Sequence, residues 1–396
     1  MKACYIYQDQ YPWDIRVEKI TETLARNGIE THILSRNRDN LPREACVKEN
    51  LYIKRLPCAG SSYINNIINV PAFFSPFWLY SIKKLITTVG IDFIIVRDLP
   101  LAPAAWLVAR YLNIPVIMDM AENYPAMIAD TWRFRGPNLI DYFIRNPILL
   151  RRLEKMILPK FDSVWVVSSH SGDRLIELGV NRERIRVVGN TPDISKSSIV
   201  SNAIVEHYRK ISNFILLYVG GLEETRGLKT VILAMPELIK MIPEIVFIVV
   251  GKGTSEVMLR SLVNELKVEA HVKFIGWKDQ SEISSIISAS DVCLVPHYLT
   301  DHTNTTIPNK IYDYMAQKKP VIATNAKSMT EIIEGNMCGV TYNDNDIDQF
   351  VGSVLKMYSY ETRVQCGENG YNAIQNKYNW NIDSLNMLES IRACTN

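Results

Sequence analysis

Short apolar runs rich in β-branched and aromatic residues alternate with longer amphipathic stretches through the whole sequence. That alternation is its strongest constraint. Parallel strands need long crossovers, usually helices, so the pattern predicts βαβ units and an α/β fold. In the first half the strand-like runs are ACYIY (3–7), THIL (31–34), FIIV (93–96), PVIM (115–118), SVWVV (163–167) and RIRVV (184–188). The second half restarts with FILLYV (214–219), IVFIVV (245–250), VKFIG (272–276), DVCLVP (291–296), PVIAT (320–324) and GVTY (339–342). The expected organisation is two Rossmann-like domains, over 1–195 and 205–379, joined by a polar linker within 189–212. A last helix over 380–396 is expected to pack back on the first domain. In open α/β sheets a ligand lies beyond the carboxyl ends of the strands. Two such domains facing one another would enclose an interdomain cleft, so candidate residues belong in the loops that leave strands.

Composition narrows the function classes. A chain of 396 residues, 47% apolar and 22% charged, can bury a large core, which excludes a disordered chain, a collagen-like fibre and a small disulfide scaffold. Lysine and arginine number 44 against 42 acidic residues, so no global charge points to nucleic acid. The seven scattered cysteines form no C-x-x-C and fit a reducing compartment. MKACYIYQDQYPWD does not read as a secretory leader, and the uncharged stretch 59–82 is broken by Pro71 and Pro76. The expected location is cytoplasmic, at the inner face of the membrane.

The segment YVGGLEETRGLKT (218–230) carries a buried strand into Gly220 and Gly221, then into a helix start with Arg226. Glycines allow close backbone approach, a helix amino terminus favours an anion, and Arg226 can grip two phosphate oxygens. It matches neither the Walker A pattern nor G-x-G-x-x-G, and an ordinary strand–helix turn is the competing reading. In PHYLTDHTNTTIPNKIYDYMAQKKPVIATN (296–325), a helix is expected to start near Pro308, with Lys310 in its first turn, against the usual charge preference there, and Asp313 one turn along. An anion near Lys310 and sugar hydroxyls on Asp313 would account for the pair; a solvent-facing Lys–Asp pair is the alternative. His297 and His302 offer too few ligands for a metal site. Asn343 to Asp346 reads as a polar turn.

At first-half strand ends stand Trp13, Asp14 and Arg16, then Asp119 and Glu122, then Ser169 and His170. Carboxylates there would serve as a general base or as sugar-hydroxyl anchors, and helix capping by Asp14 and Ser169 is the competing account. Two stretches look membrane-facing. One is 59–82, with Phe73, Phe74, Phe77, Trp78 and Tyr80 before Lys83 and Lys84. The other is 132–160, with Arg133, Arg135, Arg145, Arg151, Arg152, Lys155 and Lys160 against Asp141 and Glu154. Aromatic and cationic residues together suit an anionic bilayer surface, and a domain interface or an acceptor groove wall is the alternative.

Taken in order, YVGGLEETRGLKT, IVFIVVGKG, VKFIGWKDQSEI and IPNKIYDYMAQKKPVIAT, with DIRVEKITETLARNGIETHIL and VVGNTPD in the first half, resemble the glycosyltransferases of family 4. The resemblance implies the GT-B fold and retaining transfer from a nucleotide sugar, a UDP-sugar being favoured, without cofactor or metal. It implies a hexosyltransferase-type enzyme acting on a saccharide or lipid-linked acceptor in surface polysaccharide or glycolipid synthesis. It places the diphosphate on Gly220, Gly221, Arg226, Lys310 and the backbone near Thr306, and the ribose on Asp313. The base falls near Gly251, Gly253, Trp277 and Lys278. Glu122, Arg226 and Lys310 are the implied catalytic residues. Thr305 stands where the family has a first glutamate, and Ala121, beside Glu122, where it has a histidine. The shared two-domain shape keeps a nucleotide-sugar 2-epimerase open as an alternative, and these departures keep open a catalytically weak sugar-nucleotide-binding subunit.

Overall fold

The computed structural model describes residues 1–12, 14–58, 72–139, 141–195 and 200–395. Trp13 and much of the 59–82 stretch therefore lie outside the described residues. The chain forms two compact units, Met1–Asn190 with Asp383–Asn396, and Thr191–Ile382.

The first unit holds an eight-stranded sheet. Its strands are β1 (Lys2–Gln10), β2 (Glu30–Arg36), β3 (Glu44–Lys48), β4 (Leu51–Arg55), β5 (Phe93–Arg97), β6 (Val116–Met120), β7 (Ser163–Val166) and β8 (Ile185–Val187). They lie in the order β3-β4-β2-β1-β5-β6-β7-β8, parallel except at the β3–β4 edge. The second unit holds β9 (Phe214–Val219), β10 (Ile245–Val250), β11 (Val272–Gly276), β12 (Val292–Val295), β13 (Val321–Thr324) and β14 (Gly339–Tyr342). Their order, β11-β10-β9-β12-β13-β14, is the 3-2-1-4-5-6 order of a doubly wound nucleotide-binding sheet. Strand order reverses between β9 and β12, and in the first unit between β1 and β5, which makes each junction a ligand crevice by topology.

Both sheets are covered on two faces, so the central strands read as continuous apolar runs; Phe214 to Tyr218 are all buried. The helix Leu228–Met241 buries Leu228, Val231, Ile232, Met235 and Leu238 at helical spacing. Each such side chain contributes about 1.5–3 kcal/mol.

Three local features differ from expectation. The 189–212 segment carries a helix, Asn202–Arg209, whose Tyr208 is buried and whose Arg209 pairs with Asp291 at 2.7 Å. Its apolar stripe is short and its flanks polar, so the pattern reads as linker. The edge strand β3 is largely exposed and has little apolar periodicity, and it pairs antiparallel with β4, which buries Leu51 and Ile53. Third, the helix Pro76–Val89 buries Trp78, Ile82, Leu85 and Ile86 in the core, and Phe73 and Phe77 pack against that cluster. Trp78 is thus a core residue, and only Phe74 and Tyr80 of the aromatics named for that stretch are well exposed. Among the described residues no helix is long and apolar enough to cross a membrane.

Candidate functional site

In the second unit the loops leaving β9 and β12 diverge, and the candidate donor residues gather there. Gly220 follows β9 with φ 144°. A Cβ on it would lie 2.6 Å from the Lys310 Nζ, so only glycine lets the amine rest against this backbone. Lys310 begins the helix Lys310–Ala316 and lays its Nζ 4.0 Å from the Tyr218 ring centroid. Arg226 ends the short 3-10 turn Glu224–Arg226. Gly227 follows with φ 66°, so close to the loop after β12 that a Cβ would lie 1.8 Å from the Pro296 carbonyl oxygen. The Tyr298 N–H donates to the Thr225 carbonyl at 3.0 Å. These backbone contacts weld the Arg226 turn to the β12 loop. Gly221, by contrast, has room for a side chain, so its lack of one is not a packing requirement.

His297 sits between the two basic side chains and is 1% exposed. Its Nδ1 is 3.5 Å from Arg226 Nη1, and its Nε2 is 3.5 Å from Lys310 Nζ. Thr324 Oγ1 donates to the His297 carbonyl at 2.5 Å, anchoring it to the end of β13. Burial first, then the Lys310, Arg226 and His302 charges, hold the imidazole well below the usual histidine range. Burial and the Arg226 charge pull the Lys310 amine well below the lysine range, with Asp313 opposing. Basic side chains gathered this closely favour a counter-charge, and a phosphate would supply it.

The remaining donor-side residues surround this group. Gly251, at φ 135°, lies against Gly220, and a Cβ there would be 1.9 Å from the Gly220 carbonyl oxygen. Gly253 presses on the Leu222 backbone. Trp277, 63% exposed, and Lys278, 3.8 Å from Glu282, follow β11. Thr305 Oγ1 donates to the Asp301 carbonyl at 3.0 Å and Thr306 Oγ1 to the His302 carbonyl at 2.9 Å. Asp313 is exposed. Among the described residues no cluster of three or more His, Cys, Asp or Glu could hold a metal ion.

In the first unit, Arg16 and Asp119 are not open strand-end groups. Arg16 Nε and Nη2 donate to Asp119 Oδ1 at 2.8 and 2.6 Å, and Tyr5 Oη donates to Asp119 Oδ2 at 2.6 Å. Arg16 Nη1 donates to the Val188 carbonyl and to Asn190 Oδ1. The side chains are 3% and 0% exposed, so this is a buried pair that ties β1, β6 and the end of β8 together. Asp14 caps the helix Ile15–Arg26 and pairs with Arg97 at 2.6 Å. Ser168, not Ser169, caps the helix Ser169–Glu177, and His170 follows in its first turn. Glu122 remains half-buried just after β6.

Asp98, after β5, is the strand-end residue that sequence reasoning missed. Its backbone holds φ 58° and ψ 165°, a region that costs a non-glycine residue about 1–3 kcal/mol. Its Oδ1 accepts from the Ala121 N–H at 3.2 Å. Burial pushes the carboxyl up to about 6, with Arg97 opposing and Asp119 and Glu122 adding. A raised folded value means a contribution present below about pH 4 and lost as the pH rises through 6. Asp98→Asn is therefore expected to stabilise by about 2 kcal/mol at neutral pH and by little at acid pH. Urea unfolding at the two pH values checks this, and equal effects at both would refute it. The signal was available: FIIVRDLP puts a charged pair directly after a buried strand.

The sequence profile "Glycosyl transferase 4-like domain" matches residues 14–191, and "Glycosyl transferases group 1" matches 204–373. The chain belongs to the family 4 glycosyltransferases. An uncharacterized glycosyltransferase of Methanocaldococcus jannaschii is 26% identical over 247 residues, 61% of this chain and 60% of that one. The amylovoran biosynthesis glycosyltransferase AmsK of Erwinia amylovora is 25% identical over 193 residues, 48% of this chain and 46% of that one. The chain thus spans about half to three-fifths of the length of these relatives. Among solved structures, a sucrose-phosphate synthase from Thermosynechococcus elongatus superposes with a TM-score of 0.79 at 18% identity, covering 99% and 98% of the two chains. HepE of Anabaena, in complex with UDP, gives 0.74 at 14%, covering 99% and 100%. The fold is GT-B.

The structure brings Gly220, Arg226, Lys310, Gly251 and Gly253 together around the β9–β12 junction. It adds His297, weighed in the sequence only as a metal ligand. It withdraws Arg16 and Asp119 from the open surface. Trp13 lies outside the described residues.

Proposed function

We propose that the protein is a retaining hexosyltransferase that moves a sugar from a nucleoside diphosphate sugar, a UDP-sugar by preference, to a saccharide acceptor carried on a lipid. The observation that carries this reading is the convergence of Arg226, His297 and Lys310 beside Gly220 at the second unit's switch point. Names among the relatives and neighbours support it: one solved neighbour holds UDP-glucose, and relatives act in amylovoran and lipopolysaccharide core biosynthesis.

The chemistry asks for positioning and charge. The bond from the sugar's anomeric carbon to the diphosphate oxygen breaks as Arg226 and Lys310 take up the developing charge. The acceptor hydroxyl forms the new bond from the same face, and its proton passes to the leaving phosphate oxygen. Asp313 is suited to the ribose hydroxyls and the exposed Trp277 ring to the base. On the acceptor side, Glu122 and Asp98 stand at adjacent strand ends of the first unit.

Incubation with a panel of UDP-sugars, with and without lipid-linked acceptor, tests the reading. UDP released only with acceptor, and an unchanged anomeric configuration in the product, are expected. An isomerised sugar nucleotide would indicate an epimerase, and tight binding without product a binding subunit.

Lipid contact belongs to the same proposal. Over 132–160, Leu139, Phe143, Ile148 and Met156 are exposed among exposed Arg133, Arg135, Arg145, Arg151, Arg152, Lys155 and Lys160. Glu154 turns inward to Arg174 at 2.7 Å, which leaves the outer face more positive. Each basic residue near an anionic surface adds about 1 kcal/mol. Co-sedimentation with phosphatidylserine vesicles is expected for the wild type and lost when Arg133, Arg135, Arg151 and Arg152 become glutamine. Equal sedimentation of the two proteins overturns the contact.

A further inference from the structure

The group at the β9–β12 junction has an unusual hydrogen-bond inventory. His297 turns both ring nitrogens toward basic side chains, Nδ1 to Arg226 Nη1 and Nε2 to Lys310 Nζ, each at 3.5 Å. A guanidinium carries donors only and keeps its proton at any ordinary pH, so Nδ1 has to accept from Arg226. A neutral imidazole then bears its hydrogen on Nε2, aimed at Lys310. An ammonium also carries donors only. The pairing closes when Lys310 is an amine whose lone pair accepts. The other tautomer sets N–H against N–H at Arg226, and an imidazolium does so at both ends.

We propose that His297 is a positioning residue that spaces Arg226 from Lys310 and holds Lys310 as a neutral amine until the donor diphosphate arrives, so that donor binding takes up a proton. The inference rests on the donor reading given above. The proton comes from solvent: the amine gains it and becomes an ammonium facing phosphate oxygens, while His297 keeps its single proton. Burial and the Arg226 charge disfavour the ammonium in the empty site. The Tyr218 ring under Nζ and Asp313 on the lysine's own helix favour it. His302 adds its charge against the imidazole from the β12 loop. Two phosphate charges brought beside the amine reverse that balance. His297 is held for this task by the Thr324 hydroxyl on its carbonyl and by near-complete burial, which leave the ring little freedom to turn away.

Calorimetric titration of the full chain with UDP, in buffers of different ionisation enthalpy, measures the uptake directly. At about pH 8 the UDP phosphate, whose last pKa is near 6, is already ionised and contributes no proton change of its own. The expected result is uptake approaching one proton per UDP, with Kd rising about tenfold per pH unit across the titration range. Uridine, which lacks the diphosphate, is expected to bind without uptake. Lys310→Arg, which cannot give up its charge, is expected to bind UDP with no uptake. His297→Gln, whose amide oxygen accepts from an ammonium, is expected to lose most of it. Heat independent of buffer in the wild type overturns the proposal while leaving the donor reading intact, as does undiminished uptake in Lys310→Arg. Failure of UDP to bind at all overturns both.

Discussion

Replacing Arg16 by methionine is expected to cost the first unit about 3–5 kcal/mol, a large fraction of the stability of an ordinary domain. The change removes every donor that Asp119 Oδ1 has in the pair and leaves a carboxylate with no exposed surface, offset in part by the Tyr5 hydroxyl on Oδ2 and by the Arg97 charge nearby. It also removes the bonds to Val188 and Asn190 that secure the end of β8. A buried charge stripped of its ion-pair partner dominates the cost, so the double variant Arg16→Met with Asp119→Leu is expected to recover part of the loss. Urea unfolding of the three proteins measures this. A loss below about 1 kcal/mol for Arg16→Met would show that the pair behaves like a surface ion pair.

The second large effect is catalytic. Arg226→Ala is expected to lower the transfer rate by about a hundred- to a thousandfold, the range seen when one group aimed at developing charge is removed. Arg226 sits on a turn fixed by backbone contacts at Gly227 and Tyr298, so the substitution removes the guanidinium without loosening its support. UDP affinity is expected to fall with it and uridine affinity to stay nearly level. Equal UDP affinity in the variant and the wild type would take Arg226 out of the phosphate site.

The two doubly wound sheets were legible because parallel strands buried on both faces leave long apolar runs, as in FILLYV and IVFIVV. Topology makes strand-end loops the place to look, and Gly220, Arg226 and Lys310 stand together there. What stayed hidden depends on where side chains turn. Arg16 and Asp119 are 103 positions apart, and only the folded β1–β6 neighbourhood shows that they neutralise each other. His297 reads as a stray histidine until Lys310, 13 positions on, folds back to its Nε2. Trp78 looks membrane-facing beside Phe77 and Tyr80, but the helical period puts it inward with Ile82 and Leu85. For Asp98 the strand-end position is legible in FIIVRDLP, whereas its positive φ is not.

The helix Trp380–Thr395 places Ser390 against β7, where its Oγ accepts from the Trp165 indole N–H at 2.7 Å and lies 3.1 Å from Ser163 Oγ. Trp165 is fully buried, so without Ser390 its N–H would have no partner there. On the ribosome, β7 therefore waits for a segment more than half the chain away, which at about 5–20 residues per second means roughly ten to forty seconds. During that interval the second unit can complete while the first stands unfinished. A fragment ending at Asn190 is expected to inherit the same unfinished state permanently, so expression of that fragment in isolation needs residues 383–395 supplied with it.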